Sequence, residues 1–219
     1  MNWRMHTIVL MICSLSAKAD YDSFQLYEMI LSADKIVYGE IIGEDSVTFT
    51  LRVDKNLTGE EKLLKINKHQ NWTCAWRWTQ YEVGQNVLLF LKEQNGALSQ
   101  MGPGNESELP IQENDIFLNT FALSSFPKFQ DSLSDTIRHI MPQKHIVYDA
   151  TYQGFKFQKS KFVEAIVIIR KCYEVKSWHK NRITSVKRVC EESHLDMAHQ
   201  SQNNPILRLM INELDKMID

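Results

Sequence analysis

Apolar and polar positions change their spacing twice along this chain, and the changes mark out its elements. From Tyr21 to Leu31 the apolar residues Phe24, Tyr27, Ile30 and Leu31 recur every three or four positions, which predicts a helix. The period then falls to two. "KIVYGEIIGE" reads as a strand ending at Gly43, and in "SVTFTLRVDK" Val47, Phe49, Leu51 and Val53 share one face. Gly43-Glu44-Asp45 turns between them, so the two form a hairpin. "KLLKINKH", "NVLLFLKE" and "ALSQM" supply three more strands, the last two joined through Gln94-Asn95-Gly96. Five short antiparallel strands in about 70 residues, after a single helix, predict a small closed barrel rather than a layered α/β fold.

Beyond Pro110 the spacing becomes helical again. A helix after Pro127 would carry Phe129, Leu133, Ile137, Ile140 and Met141 on one stripe and stop at Pro142. "KHIVYDATYQGFKF" reads as extended segments around Gly154. Ser160 can cap a helix through "KFVEAIVIIRKCYEV", although "AIVIIRKCYEV" would also serve as a buried strand. The last element has the sharpest signature: Asn204 as cap, Pro205 in the first turn, then Leu207, Met210, Ile211, Leu214 and Met217 on one face. The predicted organisation is a segment 1–19, a barrel over 20–112 and an α+β extension over 113–219 packed on the barrel.

The first nineteen residues alter this picture. Arg4 precedes a short apolar run, Thr7 to Leu15, and Ala17-Lys18-Ala19 matches an A-x-A cleavage site, the layout of a secretory signal peptide. The run is well below the roughly 20 residues that span a bilayer, and no later stretch is apolar for long enough. The expected product is therefore secreted or periplasmic, without a membrane span, and starts at Asp20. Three cysteines then remain: Cys74, Cys172 and Cys190. An odd number in an oxidising compartment implies one bridge and one leftover thiol. Cys172 and Cys190 flank a short segment and are the favoured pair, worth roughly 3 kcal/mol on the chain-entropy model. Other pairings stay open, and Cys74 is expected to be free and buried.

Charge is uneven. Loss of residues 1–19 leaves 23 basic against 27 acidic residues, but 142–190 holds eleven Lys or Arg against Asp149, Glu164 and Glu174. Such a segment could meet an anionic partner, or be a solvated face balanced by the acidic barrel.

Enzymatic signatures are sparse. The chain has no G-x-S-x-G, P-loop, H-E-x-x-H or G-x-G-x-x-G, so neither a cofactor nor a nucleic-acid partner is expected. In "CEESHLDMAH" a helix would set His194 and His199 about 140° apart, unlike converging ligands, so no metal is expected from Cys190, His194, Asp196 and His199. Cys74 has apolar surroundings in sequence, which raise a thiol pKa and argue against a nucleophile. The better candidate is "NWTCAWRWTQYEVGQNVLLFL": in an extended segment Trp72, Trp76 and Trp78 would line one side and could stack on sugar rings or seal the barrel's end.

With these residues laid out, "ADKIVYGEI", "TFTLRVDKNLTGE" and "CAWRWTQYEVGQNVLLFL", in that order and spacing, resemble the netrin-like barrel of tissue inhibitors of metalloproteinases and of many exported bacterial proteins. The resemblance covers about residues 24–111 and implies an OB-like barrel. It stops short of the activity: those inhibitors grip zinc with an N-terminal cysteine, whereas here no cysteine stands between Asp20 and Cys74. The expectation is a mainly β, OB-like barrel of five antiparallel strands with an N-terminal helix and a helix-rich α+β extension. It would act as an exported binding module for a protein or polysaccharide, without catalysis. Two alternatives are a secreted hydrolase or protease inhibitor with a site between barrel and extension, where His139, His145, His194 or His199 would meet a carboxylate, and an aromatic carbohydrate-binding module.

Overall fold

The computed structural model describes residues 23–71, 76–102, 104–123, 141–190 and 202–218. Five strands close into a barrel: β1 (Lys35–Glu44), β2 (Thr48–Asn56), β3 (Leu63–Asn67), β4 (Asn86–Gln94) and β5 (Ala97–Gln100). They follow the order β1-β2-β3-β5-β4, and β4 pairs back to β1. This arrangement is compatible with an OB-like barrel. The expected all-antiparallel pairing is corrected at one seam: β3 and β5 run parallel, Ile66 against Leu98. The other four seams are antiparallel. A closed ring with an odd number of strands cannot alternate direction all the way round, so closure itself requires a like-oriented pair.

The unbroken apolar run of β4 is explained by burial on both faces. Val87, Leu89 and Leu91 point into the barrel beside Val37, Ile41, Phe49 and Leu51. Leu88 and Phe90 point outward into a second, larger core. All five β4 residues are fully buried. β1 bends at an irregularity between Tyr38 and Gly39. A Cβ at Gly39 would lie 2.0 Å from the Arg52 carbonyl oxygen, so the neighbouring strand leaves room only for glycine. Asn95 and Gly96 turn β4 into β5 with φ of 53° and 76°, as a two-residue hairpin loop demands.

The sheet does not end at the barrel. One edge of β4 pairs with β5 through residues 91–94 and with β6 (Glu108–Gln112) through 86–89. From β6 the sheet runs on through β7 (Asp115–Asn119), β9 (Ala150–Gln158) and β8 (Gln143–Val147). The boundary expected at 112/113 falls in the turn between the paired strands β6 and β7. Ahead of β6 lies a single turn, α2 (Gly104–Ser107), and after β7 a 3-10 turn, Thr120–Leu123.

Three helices cover the outer core. Helix α1 (Leu26–Ser32) contributes Leu26, Met29 and Ile30; α3 (Lys159–Cys172) contributes Phe162, Ile166 and Ile169; α4 (Pro205–Asp215) contributes Leu207, Met210 and Leu214. Helix α4 begins as its sequence signature predicts, with the Asn204 side chain accepting the Leu207 N–H. The ambiguous "AIVIIRKCYEV" is both things in turn, helix to Cys172 and strand from Tyr173. β10 (Tyr173–His179) and β11 (Arg182–Arg188) form a separate hairpin. The helix expected from Tyr21 is seen over Leu26–Ser32. Residues 1–22, the helix read after Pro127 up to residue 140, and Trp72 and Cys74 lie outside the described residues. Among the described residues no helix is long and apolar enough to cross a membrane.

Several basic residues of 142–190 pair beyond their own segment. Arg182 bonds the buried Glu28 of α1 at 2.6 Å, Arg188 bonds Asp215 of α4 at 2.6 Å, and Lys156 bonds Asp115 at 2.7 Å. Arg170 donates to the carbonyls of Ile30 and Ala33 at the end of α1. The predicted disulfide joins Cys172 at the end of α3 to Cys190 just past β11, with Cα atoms 4.4 Å apart.

Candidate functional site

The connection from β3 to β4 carries the tryptophan-rich stretch, and its residues 76–85 lie across the end of the barrel: Trp78 and Tyr81 pack against the interior cluster, Tyr81 stacking on Phe49 at 5.0 Å. Arg77, the one charged residue between two tryptophans, organises it. The Arg77–Glu108 ion pair is sealed, with side-chain exposures of 1% and 0%. Glu108 opens β6 where β4 exchanges β5 for β6, so the carboxylate stands at the branch point of the sheet.

Every N–H of the guanidinium is engaged. Nε and Nη2 donate to Glu108, Nη1 donates to the carbonyls of Thr79 and Gln80, and Nη2 also donates to the Gln85 amide oxygen. The far oxygen of Glu108 accepts from Gln100 Nε2, which also donates to the Tyr81 hydroxyl. Two rings lie against the guanidinium, Tyr81 at 3.9 Å and Trp78 at 4.4 Å. Burial, and after it the Glu108 carboxylate, holds the Tyr81 phenol neutral far above its ordinary range. The guanidinium donates all of its N–H groups and Glu108 accepts from both Arg77 and Gln100, so the network shapes the loop.

The loop so shaped walls a polar groove of about 630 Å³. Lys68, His69, Gln70, Asn71 and Gln80 line it. Asn71 accepts the Arg77 N–H at 2.8 Å and Tyr81 accepts the His69 N–H at 3.0 Å, which ties both walls to the same network. Lys68 pairs with Glu44 across the groove mouth.

Of the tryptophans singled out by sequence, Trp76 and Trp78 are among the described residues and differ in setting. Trp76 is 64% exposed. Trp78 is half-buried, its ring 5.8 Å from that of Tyr148, and it packs on Phe117, Val147 and Tyr152 of the extension. Tyr148 in turn accepts the Asn86 N–H and donates to the Ile111 carbonyl. Trp78 is thus a strut between barrel end and extension. Of the histidines, His145 sits on β8 against Phe117, its Nε2 3.2 Å from the Gly154 carbonyl oxygen; His139, His194 and His199 lie outside the described residues, as does Asp196. Cys190 is taken by the disulfide. Sequence reasoning missed Arg77, Tyr81 and Glu108. The signal was there in part: an arginine flanked by tryptophans in an apolar neighbourhood has to find a counter-charge.

Comparison with protein-family models, curated proteins and solved structures finds no match to this chain.

Proposed function

We propose that this chain is an exported binding module in which a netrin-like barrel acts as a rigid frame and the groove at the barrel's end receives a polar segment of a protein or polysaccharide. The saturated Arg77–Glu108 network carries this reading. It holds residues 76–85 in place before any partner arrives, and a preset surface loses less entropy on binding. The groove lining is mainly polar, with the amides of Asn67, Gln70, Asn71 and Gln80 beside Lys68, His69 and Glu44, and it offers donors and acceptors for a polar chain. The Cys172–Cys190 bridge agrees with an oxidising compartment, and the A-x-A motif with export to it.

The test is a binding screen of the mature protein against immobilised peptides and glycans, repeated with Lys68→Ala/Gln70→Ala. The expected result is a ligand whose affinity falls by about tenfold in the variant, a loss of about 1.4 kcal/mol, with the melting temperature unchanged. Equal binding by the variant would remove the groove from the reading. Turnover of a screened compound would favour the hydrolase alternative.

A further inference from the structure

The β10–β11 arm leaves a second depression, away from the groove at the barrel's end. It is a cavity of about 490 Å³ with Phe24, Gln94, Gln100, Met101, Trp178 and Asn181 among its walls. Trp178 is 51% exposed and stands between this cavity and a neighbouring one of about 460 Å³ that reaches Arg170 and Glu174. Ser32 and Trp178 line both, so the two depressions flank a single indole.

The walls are set in advance. Glu28 accepts from Arg182 Nε at 2.8 Å and from the Ile183 N–H at 3.3 Å, which pins the arm to α1. The Arg182 guanidinium lies 5.8 Å from the Phe24 ring and backs that wall. Lys92, the cationic side chain of the first cavity, is held by Asp34 at 2.9 Å. Apart from this paired lysine, the cavity is lined by aromatic, apolar and neutral polar residues.

We propose that this pair of depressions is a binding site for a neutral oligosaccharide, with Trp178 stacked on the C–H face of a pyranose ring. A pyranose has one apolar face and a rim of hydroxyls that each donate and accept. An indole beside carboxamides matches both halves, because an amide also offers a donor and an acceptor side by side. Gln94 and Asn181 supply such amides. The second depression gives room for a further ring beyond the indole, so a chain binds better than a monosaccharide. The site shares no aromatic residue with the groove at the barrel's end, although its wall residue Gln100 also bonds Tyr81 and Glu108 there.

Isothermal titration of the mature protein with neutral hexasaccharides of glucose, N-acetylglucosamine and mannose tests the assignment. The expected result is saturable binding of at least one of them with Kd between about 10 µM and 1 mM, weakened about tenfold or more by Trp178→Ala and retained within about threefold by Trp178→Phe. The melting temperatures of both variants stay at the wild-type value because Trp178 is half exposed. Lys68→Ala/Gln70→Ala leaves this binding unchanged. The proposal is overturned if none of the three binds up to about 10 mM, if Trp178→Ala binds as wild type, or if a neutral hexapeptide binds through Trp178 where the saccharides do not.

Discussion

Inside the barrel, Val37, Ile41, Phe49, Leu51, Val87, Leu89 and Leu91 pack into one apolar cluster. At the barrel's end, Arg77, Gln85 and Glu108 are buried and, with the half-buried Gln100, are joined by hydrogen bonds beneath the rings of Trp78 and Tyr81. The two regions do different work. The interior stabilises by removing hydrocarbon from water, an effect that tolerates small shifts of each side chain. The end uses directed bonds, which stabilise little on balance once desolvation is counted but fix one geometry among many. That geometry is needed here because β4 changes partner at Glu108, and aliphatic packing alone would not decide which strand follows β5 on its edge.

The sharpest way to break the comparison is Glu108→Ala. It strands a buried guanidinium, and urea unfolding should show a loss of about 3–5 kcal/mol; the paired change Arg77→Met with Glu108→Leu should recover most of it while the loop becomes more susceptible to protease. A cost under about 1 kcal/mol for the single variant would make the two regions equivalent. Next in size is the covalent tie outside the barrel. Cys172→Ser/Cys190→Ser should lower stability by about 3 kcal/mol, with hydrogen exchange rising in α3 and β10–β11 and staying low in β4, if the barrel core is independent of the arm.

The smallest effect concerns pH. Burial, together with the Asp215 carboxylate that accepts its hydroxyl at 2.7 Å, pushes Tyr173 up to about 12. The folded state therefore holds this proton more tightly than the unfolded chain, whose tyrosine titrates near about 10. The contribution is complete below about pH 10 and is lost as pH rises toward 12. Tyr173→Phe should flatten the alkaline fall of stability by the equivalent of one proton, read from melting curves between these values. An unchanged slope would place the alkaline sensitivity in other buried tyrosines such as Tyr81 and Tyr152, whose phenols burial also raises.

What could be read from the chain followed from local rules. The alternation of Phe49 and Leu51, the Asn95-Gly96 turn, the Asn204-Pro205 start of α4 and the Cys172–Cys190 pairing each depend on neighbours in sequence or on short loop closure, and each is where it was expected. β4 marked the limit of that reading. Its run of five apolar residues announced burial but could not say that one half faces the barrel and the other the helices, because periodicity vanishes when both faces are covered. The helix-to-strand switch at Cys172 was undecided because apolar Val167 stands on the exposed face of α3 and blurs the helical period.

The sequence by itself determined the barrel's strands, the turn chemistry, the last helix and the candidate bridge, since all of these are settled by backbone preference and side-chain period within a few residues. Tertiary structure alone decided the parallel β3–β5 seam, the extension of the sheet through β6, the pairing of Arg77 with Glu108 across 31 residues and the placing of Trp178 beside Phe24. Each of these depends on which distant segments close on one another, and a charge or an aromatic ring in sequence records that it needs a partner without recording which one.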